Sequence, residues 1–287
     1  MAPSVLFLIS DHASATASND NHVRLPAAFA DCNWNVQIGA PERMILHPEG
    51  LVVDGYLMHH ANLIWPLGFG PRTGFLDRAH LLSQLPQEKL ITPVAEQILG
   101  HGKAQWLEFC PPTYISTDAE YLQTIAKEQA GDWVLKPLAG SYGRDVHFVP
   151  QDQRKIIRDT MGRHPEAYFA LQRFVPGITN GEVRTLVAGG KIIGSYRRRP
   201  LRGIRANLAA EGQATPVQDQ DIDTHLINQV LSDLHRRGIG YAAIDTVDGY
   251  LLEVNLANPG GLGTLSKIYQ RDLGEKVVRA VATRHNP

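Results

Sequence analysis

Cysteine is scarce in this sequence: 287 residues contain two, Cys32 and Cys110, widely separated and outside any CxxC pair. Disulfide scaffolds and structural zinc ribbons are excluded, and a reducing, cytoplasmic setting is the expectation. Charge of one sign is not in excess either. The chain has 28 Lys+Arg against 29 Asp+Glu, a formal net charge of −1. Attraction of the whole chain to polyanions is therefore excluded as its main activity, although a local basic patch is not. Long apolar runs are missing. The run Val5–Ile9 stops at Ser10 and Asp11 with no basic segment before it, and no stretch approaches the roughly 20 residues that span a bilayer. GxSxG, HExxH, HxxxH and GxxxxGK(S/T) are all absent, and the 12 histidines, His12, His22 and the pair His59-His60 among them, scatter without ligand spacing. What remains is 43% hydrophobic and 20% charged residues, enough for one large or two ordinary domains with real cores.

The first hundred residues read as α/β. The all-apolar run Val5–Ile9 fits a buried parallel strand, a helix is expected from about His22 to Ala30, and strands over Asn35–Ile38 and Ala61–Trp65. Alternating short strands and helices favour a doubly wound sheet. The middle third opens with Thr117-Asp118-Ala119-Glu120, a capping-box pattern for a helix to about Ala130. Trp133–Leu135 followed by Lys136-Pro137 reads as a strand ending in a lysine, and the glycine loop Leu138–Gly143 leads to a second strand, Asp145–Val149. In the last third, Phe169–Val175, Val183–Val187 and Lys191–Tyr196 are strand-like, the last two joined by Ala188-Gly189-Gly190. Ile222, Leu226, Val230 and Leu234 mark one helix face, with Gly238 where a terminating glycine belongs. Tyr241–Asp245 and Tyr250–Asn255 form a hairpin around Asp248-Gly249.

That hairpin carries Asp245, Glu253 and Asn255, three oxygen side chains with no His or Cys beside them, which suits a hard cation such as Mg²⁺ shared with phosphates. A two-residue loop would put Asp245 opposite Leu252, on the face away from Glu253. A three-residue loop, Val247-Asp248-Gly249, pairs Asp245 with Leu251 and brings Asp245, Glu253 and Asn255 to one face, so the three-residue loop is the expectation. An isolated acidic pair beside a turn ordinarily faces solvent; Lys103, Lys136 and the glycine loop, all phosphate-type groups, argue for a site. The GGLGTL stretch at Gly260–Leu265 only imitates a phosphate loop, because no parallel strand precedes it. The arginine run Arg197, Arg198, Arg199, Arg202 and Arg205, followed by Asn207, is either a solvated face or a set converging on a transferring phosphoryl group. No aromatic platform interleaves with it, which weighs against nucleic acid.

Taken together, WVLKPLAGSYG, LQRFVPGITNGEVRTLVAGGKIIGSYRRRP, IRANLAAEG and IDTVDGYLLEVNLANPGG, in that order over roughly residues 100 to 285, resemble the ATP-grasp superfamily and within it bacterial glutathione synthetase. The resemblance implies an α/β (α+β ATP-grasp) protein: a Rossmann-like N-terminal domain over 1–100, then an ATP-grasp domain over 101–287 with lobes at 101–170 and 171–287. It implies that Lys103 and Lys136 hold ATP phosphates beneath the loop containing Gly140, Ser141 and Gly143. Gln172 and the backbone of Arg173, Phe174 and Val175 would form the adenine hinge, with Glu182 on the ribose. Arg184, Arg198, Arg205 and Asn207 would face the γ-phosphate and the acyl phosphate made from it, while Asp245, Glu253 and Asn255 would hold Mg²⁺, with Mn²⁺ as a substitute. The family's Ser-Pro-Thr after the metal asparagine is Asn258-Pro259-Gly260-Gly261 here, and Arg199 stands where the family has an apolar residue.

The expected function is an ATP-dependent carboxylate–amine ligase. γ-Glutamylcysteine plus glycine is the family default, and the Asn258–Gly261 departure favours a different amino-acid or peptide acceptor as the alternative. A nucleotide-binding regulator without turnover is the other rival, opposed by the complete set Lys136, Arg198, Asp245, Glu253 and Asn255. Expected partners are small-molecule substrates and further copies of the chain in a homo-oligomer, with no nucleic acid and no membrane.

Overall fold

The computed structural model describes residues 2–13, 19–68, 70–101, 103–138, 140, 145–199 and 213–285. Ser141, Gly143, Arg205 and Asn207, expected at the site, lie outside the described residues.

The N-terminal part comprises β1 (Ser4–Leu8), α1 (Asn21–Asp31), β2 (Asn35–Gly39), β3 (Met44–His47), β4 (Gly50–Val53), β5 (Tyr56–Leu57), β6 (Leu63–Pro66), α2 (Phe75–Leu82) and α3 (Val94–Leu99). β1 is the centre of a three-stranded parallel sheet, β2-β1-β6. Its run is apolar throughout because both faces are covered. Val5 and Phe7 enter one core with Phe29 and Trp65, while Leu6 and Leu8 enter another with Met58, Ala79 and Leu82. The meander β3-β4-β5 is not among the expected elements; its signal is Asp54-Gly55, both at positive φ (48° and 79°), the chemistry of a tight hairpin.

Next come β7 (Thr113–Ser116), α4 (Ala119–Glu128), β8 (Trp133–Pro137), β9 (His147–Val149), α5 (Lys155–Met161) and β10 (Phe169–Arg173). The strands form an antiparallel sheet in the order β7-β10-β8-β9. Trp133, Leu135, Phe169 and Leu171 face the helices and their Leu122, Ala126 and Ile157. By alternation Lys136 and Gln172 take the opposite face. The cap of α4 falls one residue later than its pattern indicates: Asp118, not Thr117, accepts from the backbone N–H of Glu120 and Tyr121, at 2.8 and 3.1 Å.

The last part contains β11 (Glu182–Ala188), β12 (Lys191–Arg199), β13 (Gln213–Pro216), α6 (Thr224–Arg236), β14 (Tyr241–Val247), β15 (Tyr250–Asn255), α7 (Leu262–Ile268) and α8 (Gly274–His285). Five antiparallel strands run in the order β13-β12-β11-β14-β15. α6 covers one face through Leu226, Ile227, Val230 and Leu234; Ile222 precedes the helix, and Gly238 at φ 78° follows its end as expected. The other face meets α7, α8 and the N-terminal sheet in one shared core, where the Trp65 and Tyr241 rings lie 5.1 Å apart edge to face. No helix among the described residues is long and apolar enough to cross a membrane.

β11 and β12 are joined by Gly189-Gly190, at φ 52° and 76°. A Cβ at Gly189 would lie 2.0 Å from the Ala280 carbonyl oxygen of α8, whereas one at Gly190 would meet nothing closer than 3.8 Å. Gly190→Ala is expected to cost about 1 kcal/mol, the left-handed conformation alone. Gly189→Ala should cost at least about 2 kcal/mol more, because α8 must shift. Urea denaturation of the two variants checks the difference.

Candidate nucleotide and acyl-phosphate site

Register brings the expected residues together. Glu182 of β11 pairs with Arg198 of β12, Arg184 with Tyr196 and with Asp245 of β14, and Asp245 with Glu253 of β15. Since side chains alternate, Arg198, Glu182, Arg184, Asp245, Glu253 and Asn255 lie on one face of the five-stranded sheet. Arg197 and Arg199 take the other: Arg197 pairs with Asp221 at 3.1 Å, and the exposed Arg199 donates to the Asn180 carbonyl. The arginine run is thus split by the pleat, one member inside and its neighbours out.

The hairpin reaches this arrangement by a route other than the expected one. Val247 pairs with Tyr250, leaving the two-residue loop Asp248-Gly249 at φ 46° and 78°. A two-residue loop with regular pairing would turn Asp245 away from Glu253. Instead the register shifts between Asp245 and Thr246, with Leu252 as the extra residue. This β-bulge restores Asp245 and Glu253 as direct partners. The three-residue loop is corrected, while the shared face stands.

Asp245 is 1% exposed. Arg184 clasps it with Nε and Nη2, each at 2.7 Å, Arg198 Nη2 donates at 2.8 Å, and Asn255 Nδ2 at 3.1 Å. Burial opposes ionisation of this carboxyl, but the two guanidinium groups overcome it and hold the group below the usual carboxylate range. Arg198 also contacts Glu182. Burial pushes the Glu182 carboxyl up, with Arg198 pulling against it.

The opposing wall comes from the four-stranded sheet and the segment before it. Lys136 Nζ donates to Gln172 Oε1 at 2.9 Å and to the carbonyl of the bulged Leu252 at 3.5 Å. Lys103 Nζ lies 3.4 Å from Glu253 Oε1 and 3.3 Å from the Gly140 carbonyl, joining the glycine loop to β15. Burial pushes the Lys136 ammonium below the ordinary lysine range, with Glu253 pulling it back. In the segment expected to form the adenine hinge, the Arg173 N–H donates to the Pro112 carbonyl and the Phe174 N–H to that of Asp132, and the Arg173 guanidinium lies 3.9 Å over the Trp133 ring. Val175 and Phe174 pack with Val247 and Leu252.

Among the described residues no group of three or more His, Cys, Asp or Glu side chains is placed to hold a metal. The expected set is two carboxylates and an amide, and Asp245 already receives four hydrogen bonds. Asn255 spends its Nδ2 on Asp245, which turns its Oδ1 the other way, and Glu253 is half-buried. These two oxygens fit a hard cation, with Asp245 behind them. Neither the bulge at Leu252 nor the place of Tyr196 opposite Arg184 leaves a linear signature in the sequence.

A two-lobed antiparallel architecture behind an α/β segment, with cations converging between the lobes, defines an ATP-grasp fold. The D-cycloserine synthetase DcsG superposes with a TM-score of 0.73 at 16% identity, covering 98% of this chain and 100% of that one. The ATP-grasp ligase PsnB, complexed with a minimal precursor, superposes with a TM-score of 0.71 at 16% identity, covering 99% of each chain. The model of the prokaryotic glutathione synthetase ATP-grasp domain matches residues 102–270, and the chain belongs to that family. It is 29% identical to the glutathione synthetase of Parasynechococcus marenigrum over 180 residues, 62% of this chain and 58% of that one. It is 30% identical to that of Vibrio cholerae over 181 residues, 62% and 57% of the two chains. The match spans less than three fifths of these relatives' length.

Asp245→Asn keeps the shape of the site but leaves two buried guanidinium groups facing a neutral amide, and is expected to cost about 3–5 kcal/mol. A carboxyl depressed in the folded state stabilises fully above its unfolded value, and that contribution disappears as pH falls through the folded value. The stability gap between wild type and Asp245→Asn should therefore stay flat from neutral pH to about 5 and shrink below about 4. Urea titrations across this range measure it.

Proposed function

We propose that the protein is an ATP-dependent carboxylate–amine ligase. ATP phosphorylates a substrate carboxylate, and an amine attacks the acyl phosphate, forming an amide and releasing ADP and phosphate. The observation that carries this reading is the meeting of Lys103, Lys136, Arg184 and Arg198, from separate segments, around one cleft that also holds Glu253 and Asn255. Phosphoryl transfer asks the protein mainly for positioning and charge neutralisation, and this cleft is built of both.

In this proposal Lys103 and Lys136, with Gly140, Ser141 and Gly143, hold the phosphates, Gln172 and the Arg173–Val175 backbone hold the adenine, and Glu182 the ribose. Arg184, Arg198, Arg205 and Asn207 stabilise the acyl phosphate. Mg²⁺, or Mn²⁺ in its place, neutralises phosphate charge when bound, and Glu253 and the Asn255 Oδ1 would hold it with Asp245 as anionic support. A Rossmann-like unit over 1–100, an ATP-grasp unit over 101–287, a cytoplasmic location and a homo-oligomeric state belong to the same proposal.

The substrates are an amino acid or short peptide carboxylate and an amine, with γ-glutamylcysteine and glycine as the first pair to assay. A different acceptor is the second reading, favoured by Asn258-Pro259-Gly260-Gly261 in place of the family's Ser-Pro-Thr. ADP release over a panel of carboxylates and amines, with product masses identified, tests the activity; no release with any pair would leave a nucleotide-binding regulator. Arg198→Met should lower kcat by about 10²–10³ with ATP affinity changed only a few-fold, because one preorganised donor is lost. Arg199→Met, on the opposite face, should turn over as wild type. The assignment fails if the two results are exchanged.

A further inference from the structure

The segment after the metal-type asparagine is held almost entirely from outside itself. Four consecutive carbonyls of residues 257–260 accept hydrogen bonds from other parts of the chain. Ala257 O accepts from the Gly68 N–H at 2.7 Å, Asn258 O from Asn19 Nδ2 at 2.8 Å, Pro259 O from Asn21 Nδ2 at 2.9 Å, and Gly260 O from Arg184 Nη1 at 3.3 Å. Asn21 Nδ2 donates a second time, to Asn258 Oδ1 at 2.9 Å. Three of the four anchors thus come from the N-terminal part, and the fourth is the arginine that clasps Asp245.

Asn21 is the centre of this contact. It is the first residue of α1 and 0% exposed, so the two bonds that its Nδ2 donates are made in the interior, where they are not shared with solvent. Both hydrogens of its Nδ2 are used on the loop, so an isosteric carboxylate would set like against like at both positions. On its far side the loop runs close to β12: Gly261 sits at φ 131°, and a Cβ there would lie 3.0 Å from the Tyr196 hydroxyl.

We propose that Asn21 is a positioning residue: through Asn258 and Pro259 it sets the 257–261 loop, and through the Gly260 carbonyl the Arg184 guanidinium, so the N-terminal part governs how the amine acceptor is received. This rests on the ligase reading for its consequence in turnover, but its geometric half stands apart from it. On the ligase reading this loop borders the amine acceptor, and of the groups assigned to ATP the contact reaches only Arg184, through the Gly260 carbonyl. Disturbing Asn21 therefore bears on the amine and on turnover, while Lys103, Lys136, Glu182 and the 173–175 backbone still hold the nucleotide.

Asn21→Asp is compared with wild type by amide hydrogen exchange and by kinetics, with Asn258→Ala as a second variant that removes one contact without touching the α1 start. In both variants exchange of the Gly68 amide, which donates to the Ala257 carbonyl of the loop, should quicken at least tenfold, while amides of β8 and β10 keep their protection. A purely structural role at the start of α1 would instead quicken exchange over 22–31, and only in Asn21→Asp. With a carboxylate–amine pair that wild type ligates, KM for the amine should rise at least tenfold in Asn21→Asp and KM for Mg-ATP stay within twofold. Unchanged exchange of the Gly68 amide overturns the proposal, as does a rise in the Mg-ATP KM with the amine KM unmoved. If Asn21→Asp fails to fold, the exchange pattern of Asn258→Ala decides. Wild type inactive with every pair overturns the ligase reading, while exchange still decides whether Asn21 holds the loop.

Discussion

The Asp245 carboxylate, buried between Arg184 and Arg198, is the interaction on which the rest of the site depends. A carboxylate out of water costs several kcal/mol unless its charge and lone pairs are met. Here four donors from β11, β12 and β15 meet them. The same contacts fix the guanidinium groups, which in turn touch the Glu182 carboxylate and the Gly260 carbonyl. Around this centre Arg184, Arg198, Lys103 and Lys136 stand against Glu182, Asp245 and Glu253, four cations to three anions. Among the described residues basic side chains thus outnumber acidic ones in a partly desolvated setting, which favours an anion.

A single residue decides whether that centre exists. Without the extra Leu252, the Asp248-Gly249 turn would send Glu253 and Asn255 to the α6 face, among Leu226 and Val230, where a carboxylate has no partner. The bulge also offers the Leu252 carbonyl to Lys136 on the opposing lobe. One local irregularity thus aligns the cation ligands and links two sheets, a use of bulges common beside functional sites.

The N-terminal part is joined to this machinery by apolar packing and by polar bonds. Trp65, Phe7 and Phe29 share a core with Tyr241, Val277 and Val281, while Gly68, Asn19 and Asn21 hold the loop beyond Asn255. The apolar contact supplies the greater burial, and the hydrogen bonds, being directional, set the position.

Much of this was legible in the chain. Val5–Ile9 declared a strand covered on both faces, Gly189-Gly190 and Asp248-Gly249 declared tight turns, and Gly238 ended a helix, because each is a local preference of backbone or pleat. The resemblance of the chain beyond about residue 100 to a ligase family, through four strings in order, named the groups that meet in the cleft. The strands β3–β5 were not anticipated, nor was the cap at Asp118, where two adjacent polar residues compete for one role. The sequence by itself determined which side chains exist and the period-two alternation that splits Arg198 from Arg197 and Arg199. Only the tertiary structure decided the bulge at Leu252, the enclosure of Asp245 by two arginines, and the grip of Asn21 on residues 258 and 259. Alternation and turn preference act between near neighbours. Register between strands and contacts across 237 residues are instead set by burial of whole faces, which no short stretch of chain encodes.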